Sequence, residues 1–178
     1  MLARFRRKIG ENARAWRAYV LARSPGSPDL AAELANLEKA TARALQEPMA
    51  WADGLALVCA LWPVIEWRGR WLAWQELLTQ ALTAAQQLGD PARLTEILEQ
   101  SGELARLRGD FRAGVARQEQ ALAYYRSLGD RLGMGRTLSC LSQQHLGLSD
   151  YRRAEECGRE DLELLAQVGN QAEWAAGL

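Results

Sequence analysis

Leu128-Gly129-Asp130 closes one helix-patterned stretch and opens the next, and the phrase recurs at 40-residue spacing as Leu88-Gly89-Asp90 before it and Val168-Gly169-Asn170 after it. Working outward, Gly69, Gly109 and Ser149 fall in register. Each is followed two residues later by an aromatic: Trp71, Phe111 and Tyr151. The pairs Ala81-Leu82, Ala121-Leu122 and Asp161-Leu162 complete the alignment. A fixed period between 20 and 50 residues marks a solenoid, in which each unit buries its apolar side against its neighbours.

Between these phrases the apolar residues recur with helical spacing, and no run alternates as a strand would. Ser24-Pro25-Gly26-Ser27-Pro28 ends a first helix over roughly residues 2–23, and Ser27 or Asp29 can cap a second running to about Gln46. Pro48 separates that hairpin from the repeats. Each 40-residue unit divides into two helices, at about 50–68 and 70–88, then 91–108 and 110–128, then 131–147 and 150–168. Gly69 and Gly109 suit a left-handed helix end. Asp90 and Asp130 are placed to cap the next helix, and Pro91 at its first position loses no hydrogen bond.

The expected organisation is therefore an N-terminal helical hairpin over 1–47, repeats over 48–90, 91–130 and 131–170, and the start of a further repeat over 171–178. The fold class is all-α, a right-handed superhelical solenoid of antiparallel helix pairs.

Composition sets bounds on partners. The chain is 48% hydrophobic and 25% charged, the balance of a soluble folded protein, and its formal net charge of zero gives no global pull toward nucleic acid or membrane. Residues 1–30 nevertheless hold seven basic side chains against Glu11 and Asp29, a local +5. Arg4, Arg6, Arg7 and Lys8 fit a solvated helix face better than a contact with nucleic acid or acidic lipid. No direct nucleic-acid or membrane binding is expected: no stretch reads as long and apolar enough to span a bilayer, and Ile9-Gly10-Glu11-Asn12 after the basic start is not a secretory signal. Cys59, Cys140 and Cys157 lack CxxC spacing, which fits a reduced, cytoplasmic protein.

In the register of the repeats, the chain resembles the tetratricopeptide (TPR) family in a lengthened form. Leu98, Ser101, Gly102 and Ala105 take the first-helix positions of the second unit; Gly109-Asp110-Phe111 forms its turn, and Gly114, Gln118 and Ala121 follow on its second helix. Leu138, Leu141, Ser142 and His145, then Ala154 and Gly158, match in the third. Val58, Leu61, Trp62 and Ile65, then Trp74, Leu78 and Ala81, match in the first. The departures are Trp62 and Trp74 at small positions, Asp161 where alanine is usual, and Pro63, which interrupts a first helix.

The N-terminal Arg4-Phe5, then Glu33-Leu34-Ala35-Asn36-Leu37 with Ala40 and Ala44-Leu45, resembles the segment leading into the repeats of STAND-type signalling ATPases, including bacterial regulators of the LuxR and AfsR kinds. That resemblance implies a sensor and protein-interaction arm of a larger signalling or transcription-regulating protein. It implies a protein or peptide partner, or a small signal molecule, with the ATPase outside this chain. A free-standing scaffold or adaptor and a small-molecule sensor are the alternatives.

No GxxxxGK[ST] loop is present to cradle a phosphate, no cofactor is expected, and the histidine and cysteines are not spaced for a metal. His145 reads as a packed side chain, and no nucleophile sits beside a base, so no catalytic residue is expected. Binding is expected on the concave face, at Glu66, Trp67, Glu96, Glu99, Gln100, Glu103, Arg106, Arg136 and Gln143. Glu96, Glu99 and Glu103 share one helix face and, with Glu66, read as an acidic strip for a basic peptide; a solvated face is the competing explanation. Of the crowded tryptophans, Trp62, Trp71 and Trp74 read as packing, while Trp67 is open to either packing or a role as an exposed anchor. A cut last helix would leave an apolar end open to self-association.

Overall fold

The structure is a computed structural model that describes the backbone of residues 2–176 and the side chains of residues 4–167. Among the described residues there are eight α-helices and no strand, so the fold class is all-α. The helices are α1 (Leu2–Leu21), α2 (Pro28–Gln46), α3 (Trp51–Arg68), α4 (Trp71–Leu88), α5 (Pro91–Leu107), α6 (Phe111–Leu128), α7 (Arg131–Gly147) and α8 (Tyr151–Ala176), with a 3₁₀ turn at Pro48–Ala50.

The Gly-Asp phrases act at both ends of the turns they occupy. Gly89, Gly109 and Gly129 adopt φ of 68°, 77° and 69°, the left-handed conformation that costs glycine nothing. The aspartate amide then closes the Schellman bond to the carbonyl five residues back, as in Asp110 to Ala105 and Asp130 to Tyr125 at 2.9 and 3.0 Å. Its carboxylate caps the next helix. Asp90, Asp110, Asp130 and Asp150 accept from the amides of Arg93, Ala113, Gly133 and Arg153 at 3.0, 3.2, 2.9 and 3.2 Å. Ser149 fills the glycine position of the last turn at φ 60°, the one non-glycine residue with positive φ among those described.

Two compact units result, one ending at Ile97 and the other beginning at Leu98, so the boundary lies inside α5. In the first unit α3 packs on α1, α2 and α4. The N-terminal hairpin is thus part of that unit's core and not a separate body. Leu30, Leu37, Leu55, Leu57, Leu61, Ile65 and Trp74 are fully enclosed there. Ser27 supplies the cap of α2, accepting from Leu30 N at 3.3 Å. In the second unit α7 packs on α6 and α8. Its core gathers Leu122, Leu138 and Leu141 with Val115, Met134, Cys157 and Leu164.

Three expectations are corrected. Pro63 does not interrupt its helix: α3 runs unbroken from Trp51 to Arg68 with Pro63 inside it and exposed. The ring faces solvent, and the packed residues on the opposite side hold the helix across the lost hydrogen bond. Val168-Gly169-Asn170 forms no hinge, because α8 continues through it to Ala176. The good helix formers Gln171, Ala172 and Glu173 that follow carry α8 through the phrase. Residues 171–176 therefore prolong α8, and 177–178 lie outside the described residues. Finally, Pro48–Arg68 does reach membrane-span length and composition, with 21 residues at a mean hydropathy of 1.5. Leu55, Leu57, Val58, Leu61 and Ile65 of this segment are all at 0% exposure inside the first unit, while Met49 and Trp67 are exposed.

Candidate interaction surface

In the first unit, Glu66 and Trp67 stand near the end of α3, and both are exposed. Trp67 is 71% exposed even though its indole borders Gly26 of the loop between α1 and α2. Next to it, Arg68 donates to the Gly26 and Ser27 carbonyls at 3.1 and 2.9 Å, fixing the loop under the indole. Trp74 is fully buried, Trp62 and Trp71 are half-buried, and Trp51 donates to the Leu45 carbonyl at 2.8 Å. Glu96 of the same unit pairs with Arg93 at 2.7 Å. Beside that pair, burial first and the Glu96 carboxylate second push the Cys59 thiol up to about 12.

In the second unit, Glu99 is the most connected of the expected site residues. It accepts from the Tyr125 hydroxyl at 2.7 Å and from Arg136 Nε at 3.1 Å, which links α5, α6 and α7 through one carboxylate. Burial, then the hydrogen bond to Glu99, raises the Tyr125 phenol above its ordinary range. The hydrogen bond to Glu99 likewise raises the Arg136 guanidinium. Glu103 is held by Arg106 through Nε to Oε2 at 2.8 Å and a second contact from Nη2. Gln100 is buried, whereas Gln143 is exposed on α7.

The acidic residues on α5 are therefore not a strip of free carboxylates. Glu96, Glu99 and Glu103 each meet an arginine, so this surface presents matched charges. Spacing alone could not reveal this for Glu99, because its partners lie on other helices.

Two buried glutamines set how closely the helices approach. Gln118 donates to the Glu99 carbonyl and Gln144 to the Gly102 carbonyl, each at 3.2 Å and each at 0% exposure. They rest on Gly102 and Gly114, where an added Cβ would come within 2.8 Å of the glutamine side chain. A glycine in the register of a polar residue on the next helix is the sequence signal for such a contact.

Beside the Glu99 cluster an open groove of about 430 Å³ runs along α7 and α8. Arg131, Leu132, Arg136, Asp161, Leu164 and Leu165 are among its lining residues. Asp161, which stands where the repeat resemblance implies alanine, closely approaches Gly135: a Cβ there would lie 2.9 Å from Asp161 Oδ1. Cys140 also lines the groove, its thiol pushed up to about 12 by burial and then by Glu103 and Glu99. His145 is buried on the other side of α7, with Nδ1 4.0 Å from Asp150. Among the described residues no group of three or more His, Cys, Asp or Glu is placed to hold a metal ion.

Helix pairs joined by Gly-Asp hinges at a 40-residue period define an all-α, helical-repeat protein. No family model matches the chain, and no curated protein does. Among solved structures it is similar to BtubC (BKLC) from P. vanneervenii, with a TM-score of 0.63 and 17% identity over 79% of this chain and 61% of that one. The chain thus spans less than two thirds of BtubC, and at this identity the likeness concerns fold.

Proposed function

We propose that this chain is a non-catalytic binding module of tetratricopeptide type, which takes a protein or peptide partner along the first helices of its hairpins. The observation that carries this is the preorganised polar surface of α5 and α7. Glu99 is held by Tyr125 and Arg136, and Glu103 by Arg106, while Gln143 stands exposed on α7. Side chains already fixed by their neighbours lose little freedom when a partner arrives. Because the acids are matched by arginines, the favoured partner carries both charges and exchanges with the existing pairs. This replaces the simple basic peptide expected from the spacing of the glutamates.

Random-peptide phage display on the intact chain, followed by calorimetry with the selected peptide, tests this reading. One recurring motif is expected, with binding lost in Gln143→Ala and Glu103→Gln and helicity unchanged. Failure of any motif to enrich, or binding indifferent to both substitutions, would count against it.

The wider role we infer is the sensor arm of a STAND-type regulator. It rests on the resemblance of Glu33-Leu34-Ala35-Asn36-Leu37 and the following alanines to the lead-in segment of such proteins. Sequencing the gene on both sides tests it: an in-frame P-loop upstream supports the arm, and its absence leaves a free-standing adaptor. Cytoplasmic residence belongs to the same proposal.

A further inference from the structure

α3, α5 and α7 stand 40 residues apart in register, so their outward positions can be compared. Where α5 carries Glu96, Glu99 and Glu103, and α7 carries Arg136, Ser139 and Gln143, α3 carries Ala56, Cys59 and Pro63. With Ala52, Ala60 and Trp67 these recur at spacings of three and four, which is one face of a helix. Ala52, Pro63 and Trp67 are exposed, and Ala56, Cys59 and Ala60 are half-buried. The other sides of α3 pack on α1, α2 and α4. α3 is therefore apolar nearly all round, although one stripe of it meets solvent.

No missing neighbour accounts for that exposure. Arg14 of α1 pairs with Asp53 at 3.4 Å on one edge of the stripe. On the other edge the Arg93–Glu96 pair of α5 stands beside Cys59. Alanine at 52, 56 and 60 leaves the backbone of α3 open to close approach, and the Trp67 indole bordering Gly26 closes one end. Along Ala52, Ala56, Ala60 and Pro63 no side chain donates or accepts a hydrogen bond. An extended peptide laid there would leave its amides without partners, whereas a helix satisfies its own backbone. The charges along both edges oppose entry into a bilayer. Glu66, a surface neighbour of Pro63 three residues on, is exposed and has no ion-pair partner among the described residues. It calls for a cation on whatever covers the stripe.

Building on the binding role proposed above, we infer that α3 takes an amphipathic helix of a partner protein. Bulky apolar side chains one turn apart fill the alanine floor, and a lysine or arginine at the Trp67 end meets Glu66. From Ala52 to Trp67 the stripe is about 22 Å long, which seats roughly four turns of such a helix.

A phage library of helical-hairpin scaffolds with one helix face randomised, selected on the intact chain, tests this. The enriched faces are expected to carry Leu, Ile, Met or Phe at i, i+4 and i+7, with a basic residue at one end. Fluorescence anisotropy of the labelled best binder should show a loss of roughly tenfold or more in Pro63→Glu and in Trp67→Ala, the scale of a hot-spot residue. Glu103→Gln should leave it unchanged. Pro63→Glu regains a backbone amide and should melt no lower than wild type, so its lost binding is not unfolding. Failure of any helix to enrich, or binding that survives both α3 substitutions, overturns the inference. So does self-association or uptake by anionic vesicles that Pro63→Glu abolishes, which gives the stripe to a second copy or to lipid. Binding lost only in Glu103→Gln and Gln143→Ala overturns it too, while leaving the module on α5 and α7 standing.

Discussion

Gln144 lies flat on Gly114, its side-chain amide 2.8 Å from where a Cβ would stand, and donates at 3.2 Å to the carbonyl of Gly102. One buried side chain thus joins α5, α6 and α7, and the glycine beneath it sets the spacing of the helices.

Gly114→Ala is expected to reverse the usual rule for helices. Alanine in a helix interior normally gains about 1 kcal/mol over glycine. Here the methyl would stand 2.8 Å from the amide of fully buried Gln144, which must move and strain its bond to the Gly102 carbonyl, and overpacking of this kind costs about 1–3 kcal/mol. Urea denaturation should show a net loss of stability, and a gain would mean that Gln144 moves freely.

Ser149 holds a left-handed conformation that its equivalents assign to glycine. Holding a residue with a Cβ there costs roughly 1–2 kcal/mol. Ser149→Gly should therefore stabilise the second unit by about 1 kcal/mol, less the added freedom of glycine when unfolded. Thermal melts of the pair decide this: a lower midpoint for the glycine variant would contradict it.

Alkaline pH should weaken the fold. Burial holds Cys59 and Cys140 up to about 12 against an ordinary 9.0, and Tyr125 is raised as well. The folded chain keeps these protons where the unfolded chain has released them, so unfolding free energy falls as pH rises. The thiols' contribution is whole below about pH 9 and is lost progressively toward about pH 12. Urea midpoints measured across that window should decline, and less steeply in a Cys59→Ala, Cys140→Ala double variant. An unchanged slope in that variant would remove the thiols from the account.

Arg136 and Glu99 should couple only weakly. Their side chains are 57 and 21% exposed, and ion pairs open to solvent typically contribute about 0.2–1 kcal/mol. A double-mutant cycle with Arg136→Ala and Glu99→Ala should return a coupling in that range, falling with salt. Tyr125→Phe should cost more than breaking the pair, since it removes a hydrogen bond to a charged acceptor at a buried ring, worth about 1.5–3 kcal/mol.

The local code of this chain is legible because its signals act within a few residues. A glycine that reaches positive φ, followed by an aspartate whose carboxylate reaches the third amide onward, ends one helix and begins another wherever it occurs. Helical spacing of the apolar residues supplies the rest, so the all-α class and the hairpin turns at 89–90, 109–110, 129–130 and 149–150 follow from residue order. Val168-Gly169-Asn170 shows the limit: the same phrase is followed by good helix formers, and its glycine stays inside α8.

Pairing between helices was decided only by the tertiary structure. The spacing of Glu96, Glu99 and Glu103 placed them on one face but did not reveal Tyr125 and Arg136 closing on Glu99, nor the glutamines resting on Gly102 and Gly114. The close approach of Asp161 to Gly135 likewise joins residues of different helices. The physical reason is range: capping and periodicity are fixed within one or two helical turns, whereas burial and charge matching depend on residues distant in sequence that only the packed chain brings together.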